Sequence, residues 1–211
     1  MSGITDEDGV WGEAAMTASC SVQAIKWVVD SVADNIQLLR ELSPIIFPVV
    51  LLTLTPNFLD TMDEAIHCAI MIIYGTKEVN DQWMGLFPHM LKIVVGNPQE
   101  SEGGYAFEYF SQMIGFFANV MHFAPDKLLT MKVKDHTYYQ LFIGSLNRIL
   151  EIADTMMSTV DKTMGFKMYS MCLHNMHGKV DNMLPQLITL CVKFLFANPP
   201  VKAKSLLAMV A

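Results

Sequence analysis

The spacing of the apolar residues constrains this chain more than any other feature. From about Glu13 onward, one amphipathic helical pattern follows another, and no stretch alternates apolar and polar residues as a half-buried strand does. The clearest pattern lies between Val79 and Leu129. There Trp83, Leu86, Phe87, Met90, Leu91 and Val94 recur at i, i+3, i+4, i+7, i+8 and i+11 after Asn80, and a second helical run follows from Tyr105 to His122. Similar runs flank this pair on both sides. A chain of this kind buries its apolar faces by laying helix against helix.

The punctuation divides the runs. In the first helix, from Glu13, the face Ala24, Trp27, Val28, Ser31 and Val32 is the expected core side, with Lys26, Asp30 and Asp34 opposite, and Asn35 ends the pattern. Ser43-Pro44 has the form of a cap and first position for a second helix, which Pro48 should bend. A third helix is expected over 58–74, with Asp60, Asp63 and Glu64 near its positive end and Gly75 closing it. Pro88 sits inside the fourth and predicts a kink there. Asn97 to Gly104 reads as a polar loop. Beyond a Lys-rich linker, a helix over 136–153 should bury Tyr138, Leu141, Phe142, Leu146, Ile149 and Ile152. Another is expected over 160–177, closed by Gly178. Asp181 is placed to cap one carrying Leu184, Leu187, Ile188, Cys191, Phe194 and Leu195.

Helices of about 15 to 20 residues, paired by short turns at a period of about 40 to 47, are the mark of HEAT or armadillo repeats. No such pair buries its own apolar face, so neighbours stack. The expected fold is all-α: an α-solenoid of stacked antiparallel helix pairs, about four pairs and a partial one, over 13–211, preceded by a disordered acidic leader over 1–12. The apolar run Leu206-Leu207-Ala208-Met209-Val210 lacks the polar outer face of a capping repeat, so the chain is expected to be a fragment of a longer solenoid.

Composition narrows the functions open to such a fold. The chain has 211 residues, 14 basic and 21 acidic side chains and a net charge of −7, with no basic stripe, which argues against direct binding of nucleic acid and favours basic partners. The 17 methionines suit adaptable contacts between helices. Cys20, Cys68, Cys172 and Cys191 are scattered through apolar patterns, as reduced, buried thiols are. Met1 to Gly12 has no basic or apolar run of a secretory signal. The uncharged stretch from Leu42 to Leu59 is broken by Pro44, Pro48 and Pro56, and that from Tyr109 to Pro125 holds Ser111, Gln112, Asn119 and His122. Neither has the roughly 20 clean apolar residues of a spanning helix, so membrane insertion is not expected.

Several segments carry a family resemblance. The run Val79-Asn80-Asp81-Gln82-Trp83-Met84-Gly85-Leu86-Phe87-Pro88 resembles a helix start in the C-terminal half of importin-β superfamily (karyopherin) transport receptors, of the importin-seven and importin-eight branch. Phe107-Glu108-Tyr109-Phe110, Asn119 and Leu128-Leu129-Thr130 continue the resemblance. Gly178-Lys179-Val180-Asp181-Asn182-Met183-Leu184-Pro185 resembles a later B-helix start, and Ser19 to Val50 fits more loosely. Met84 stands where the family has tryptophan, with Trp83 one residue earlier. Gly115 replaces a proline, and the loop from Asn97 to Gly104 is long. The resemblance implies a receptor that shuttles between cytoplasm and nucleus, wraps basic cargo on a concave face of B helices and touches nucleoporin phenylalanine-glycine repeats outside. It binds the GTPase Ran through an N-terminal part that this segment lacks.

On that reading Glu78, Asp81, Glu151, Asp154 and Asp181 are candidate cargo-facing carboxylates for lysine and arginine side chains. Trp83, first a core position, is the candidate stacking platform. Catalytic and cofactor chemistry finds no support in the residues. Cys172, His174 and His177 at i, i+2 and i+5 do not share a helical face, so no metal site is expected. His67 and Cys68 point about 100° apart with no third group to orient them, and Gly103-Gly104 lacks the lysine of a phosphate loop. A binding protein, or a generic HEAT scaffold, is expected rather than an enzyme, with a membrane-associated helical protein third.

Overall fold

The computed structural model describes residues 7–97, 103–156, 158–186, 188, 189 and 192, with side chains from Met16 on except those of Thr159 and Met183. The described chain is overwhelmingly α-helical and falls into two compact units, residues 1–78 and 79–211.

The first unit contains α1 (Glu7–Ser31), α2 (Ile36–Thr53), a 3-10 turn over Pro56–Thr61 and α3 (Met62–Thr76). α1 starts at Glu7, within the stretch read from sequence as an acidic leader; residues 1–6 lie outside the described set. α2 begins about two turns before Ser43-Pro44. Its cap is Asn35, whose side chain accepts from the Leu38 amide, so Asn35 starts a helix as well as ending one. Pro44 and Pro48 stand inside α2, four residues apart and both exposed. The carbonyls they leave without a helical donor therefore lie on the exposed side. Gly75 is helical. A Cβ there would lie 2.3 Å from Leu39 Cδ1, so the residue permits α2 and α3 to approach, while Lys77 in the left-handed region (φ 56) ends the helix.

α3 packs on both α2 and α1, which meet each other only slightly. Ala65, Ile66, Ala69, Ile72 and Ile73 of α3 and Leu39, Ile46 and Val50 of α2 are all buried. α1 is turned relative to the expected face. Trp27 is 65% exposed and Val28 48%, while Val22 and Val29 are buried, and Asp30, itself paired with Lys26, meets His67 of α3. Val22 and Val29 are the residues of α1 buried among the described ones, and the Asp30–His67 pair crosses its contact with α3.

The second unit comprises α4 (Asp81–Val95), a 3-10 turn over Phe107–Tyr109, α5 (Phe110–Phe123), α6 (Pro125–Thr130), β1 (Lys132–Val133), β2 (His136–Thr137), α7 (Tyr138–Thr155), α8 (Thr159–Asn175) and a 3-10 turn over Asp181–Met183. β1 and β2 form a small antiparallel hairpin, Lys132 opposite Thr137, in the segment read as a Lys-rich linker without strand character. Two residues per strand leave no alternation to detect, and Lys134 (φ 54) supplies the left-handed turn.

α4 and α7 follow the sequence closely. Asn80 caps α4 through the Trp83 amide, and all six stripe residues from Trp83 to Val94 are buried. Thr137 and Gln140 form a reciprocal capping box at the start of α7. Five of its six expected core residues are buried, and Leu141 is half-buried. The polar loop after α4 returns to cap it: Gly104 N donates to Val94 O and Ala106 N to Ile93 O. A Cβ on Gly104 would stand 2.1 Å from Ile93 O, so the return requires glycine.

α4 packs on α5 and α7, and α8 on α5 and α7, so the four helices enclose one core. Phe87 joins three of them: its ring centroid lies 5.2 Å from Phe117, edge to face, and 5.9 Å from Phe142. α8 is fixed by the Tyr169 hydroxyl donating to Asn147 Oδ1 (2.6 Å) and by a contact of His122 Nδ1 with Asn175 Oδ1 (3.2 Å). Of the last expected stripe, Leu184 and Ile188 are exposed; Leu187, Cys191, Phe194 and Leu195 lie outside the described residues.

Candidate functional site

Of the six residues singled out for cargo, five are carboxylates engaged with groups of their own chain and the sixth, Trp83, is buried. Glu78 ends the first unit, where its carboxylate accepts from Arg40 at 2.6 Å, and the other five belong to the second. Asp81, in the first turn of α4, pairs with Lys127 at 2.7 Å; the same ammonium also donates to Val79 O. On α7, Glu151 pairs with Arg148 at 3.2 Å, and Asp154 pairs with Lys162 of α8 at 2.5 Å. Asp181 accepts from the Gly178 amide at 3.2 Å, closing the turn after α8.

Trp83 requires a correction. It is 1% exposed, among the largest fully buried side chains, and offers no stacking surface. Its place in the apolar stripe already implied this; only the family comparison suggested otherwise.

The five carboxylates thus serve the chain's own cations and amides. Four of these contacts are exposed ion pairs, worth about 0–1 kcal/mol each, so an incoming lysine or arginine exchanges with them at little cost. They are not, however, a bare acidic ridge. In the second unit a groove of about 390 Å³ lies between Val95 and Gly96 at the end of α4 and Gln140, Gly144 and Arg148 on α7. Gly144 has no atom within 4 Å of a would-be Cβ and opens the floor of that groove.

Where the negative charge resides was missed by reading residues singly. Residues 1–78 hold 11 acidic and 3 basic side chains, a formal −8, whereas residues 79–211 hold 10 acidic and 11 basic, +1. Counting charge by unit rather than by chain would have revealed it. In the first unit Asp34, Glu41, Asp60 and Asp63 are exposed. Asp30 lies between Lys26 (3.1 Å) and His67 Nε2 (2.6 Å). Burial raises the pKa of its carboxyl, but hydrogen bonds from His67 and Lys26 outweigh that and hold it below the usual carboxylate range.

The same contact disposes of His67 and Cys68 as a nucleophile and base. His67 Nε2 is bound to Asp30, and burial, with Asp30 nearby, pushes the Cys68 thiol up to about 12. At neutral pH that thiol carries almost no thiolate. Cys172 is likewise buried, raised to about 12, and directed at Met176 Sδ (3.9 Å), while His174 and His177 are exposed. Among the described residues no three histidine, cysteine or acidic side chains are grouped to hold a metal ion. The Tyr139 hydroxyl oxygen is buried without a hydrogen-bond partner near Cys172 and Tyr169, and burial raises its pKa.

α2 has the length and apolar content of a membrane span, and a fifth of it is buried here. Compared with protein-family models, curated proteins and solved structures, the chain matches none. The class its fold defines is therefore an all-α chain of two helical units.

Proposed function

We propose that this chain is a protein-binding segment of a helical array, of the nuclear transport receptor type, and that it takes basic protein cargo. The observation that carries the reading is the division of charge: −8 on residues 1–78 against +1 on residues 79–211. A surface of one sign attracts partners of the other and steers their encounter. The packing of the second unit supports the array. α4 with α5 and α7 with α8 form two helix pairs, and the pairs meet α4 on α7 and α5 on α8, as neighbouring repeats of a solenoid do. α2, α4 and α7 start at Ile36, Asp81 and Tyr138, about 45 and 57 residues apart. The longer interval accommodates α6 and the β-hairpin.

In this reading binding is electrostatic and involves no chemistry. Cargo lysines and arginines meet the exposed carboxylates of the first unit, and Asp81, Glu151 and Asp154 act as secondary contacts after exchanging their internal partners. Two experiments separate the components of the proposal. Retention of histones or basic ribosomal proteins at low salt, lost at high salt, is expected of a basic-cargo binder; no retention at low salt contradicts it. Binding of phenylalanine-glycine repeat peptides distinguishes a transport receptor, with Ran contacted elsewhere in a longer chain and shuttling through the pore, from a HEAT scaffold that holds other subunits.

A further inference from the structure

The groove between the end of α4 and α7 differs in charge from the chain around it. The chain carries 21 acidic and 14 basic residues, yet none of the described residues lining the groove is acidic. Its polar side chains are His136, Gln140, Ser145 and Arg148, all of them hydrogen-bond donors, and Val95 and Leu141 supply apolar wall. The donors are positioned by the local fold. Gln140 closes the capping box of α7: its side-chain oxygen accepts from the Thr137 amide at 2.8 Å, so what it offers a ligand is its NH2 group. His136 is held by the hairpin opposite Val133 and presents an N–H in either neutral tautomer. Arg148 pairs with Glu151 at 3.2 Å, but the Glu151 side chain is 67% exposed, and such a pair is weak. A ligand carboxylate that meets the guanidinium with both oxygens displaces it. Across the groove, the Lys92, Ile93 and Val94 carbonyls already accept from the Gly96, Ala106 and Gly104 amides, which blunts the negative end of α4.

We propose that this groove binds a small organic acid: a carboxylate on Arg148, an apolar body along Leu141 and Gly144 against Val95, and a neutral hydrogen-bond acceptor at the far end for Gln140 and His136. Gln140, Gly144 and Arg148 follow at four-residue steps along one face of α7, about 12 Å from first to last, which sets the length of the ligand. Gly144 leaves open space midway, where any other residue would place a side chain. The volume of about 390 Å³ falls within the roughly 300–1,000 Å³ of small-molecule sites. A cationic ligand would face Arg148 with no carboxylate on the lining to offset it. The site takes a ligand of opposite charge to the basic cargo and lies in the second unit, so either proposal stands or fails without the other.

The test uses the full chain and naproxen, whose carboxylate and methoxy oxygen stand at opposite ends of a fluorescent naphthalene, with its primary amide as the uncharged control. Fluorescence anisotropy should show saturable naproxen binding with a Kd below about 1 mM, and binding of the amide about tenfold weaker or more. Arg148→Gln should weaken naproxen about tenfold. Gly144→Leu, which fills the floor, should abolish binding, whereas Gly85→Leu, at an equally open glycine of α4, should leave it unchanged. Both leucines replace a helical glycine by a better helix former at an uncrowded position, so both variants should keep or raise the melting temperature. Equal binding of acid and amide, binding that survives Gly144→Leu, or binding lost in Gly85→Leu overturns the proposal. So does the absence of saturable naproxen binding below about 1 mM, or a dimer by light scattering that Gly144→Leu abolishes.

Discussion

Trp83 and Gly104 show how much single residues determine in this chain. Trp83 is fully buried in the second unit, where its loss leaves a cavity that the neighbouring helices only partly fill. Trp83→Ala should cost about 3–5 kcal/mol, read as a fall in the denaturation midpoint; an effect below about 1 kcal/mol would mean the ring is not in the core. Gly104 is needed because its backbone runs against Ile93 O. Gly104→Ala forces the loop away from the end of α4 and opens the carbonyls that Gly104 and Ala106 cover, so about 2 kcal/mol of destabilisation is expected in the same assay. The thiols give a kinetic counterpart. Cys20 is exposed and should react with a soluble thiol reagent at neutral pH, whereas Cys68 and Cys172, buried and with pKa values pushed to about 12, should react only when their units open. Mass mapping of the labelled residues would decide this, and early labelling of Cys68 would contradict its placement.

At the scale of elements, caps and stripes were legible where local and tertiary demands agreed. Asn80 and α4, and the expected core of α7, needed no information beyond spacing and cap chemistry. Asn80→Ala should accordingly cost about 1 kcal/mol. Four elements departed from expectation. α1 leaves Trp27 and Val28 exposed and buries Val22 and Val29, and its Asp30 meets His67 across 37 residues of sequence, a partnership no local pattern encodes. α2 extended back to Asn35 because prolines on an exposed face interrupt fewer buried hydrogen bonds than their number suggests. β1 and β2 are too short to leave a period.

The α1–α3 contact makes a pH prediction. Because the folded Asp30 carboxyl titrates below its unfolded value, its contribution is present above that unfolded value, near pH 4, and is lost as pH falls through the folded one. Amide exchange in α1, corrected for intrinsic rates, should accelerate over that acid range in the wild type, and Asp30→Asn should remove the step. An identical acid profile in the variant would rule out the Asp30 pairing as its source.

At the scale of the molecule, the sequence conveyed its helical character fully, but its binding surface only in outline. The net charge of −7 pointed to basic partners, yet the carboxylates chosen by family resemblance lie mostly in a unit whose charge is close to neutral and are engaged with Arg148, Lys127, Lys162 and the Gly178 amide. The Lys127–Asp81 and Lys162–Asp154 pairs join different helices and become visible only in three dimensions, whereas Arg148–Glu151 is an i,i+3 pair within α7. The unit boundary after Glu78, needed to see where the charge concentrates, is likewise a property of packing.

The central claim, that a basic protein binds through the acidic first unit, is tested most directly by titrating labelled core histones with the wild-type chain and two charge variants at low and high salt. One variant carries Asp34→Asn, Glu41→Gln and Asp60→Asn, the other Asp81→Asn, Glu151→Gln and Asp154→Asn. The expected result is saturable, salt-weakened binding that the first set reduces about tenfold and the second set much less. Equal losses from both sets, a larger loss from the second, or no saturable binding at low salt would contradict it.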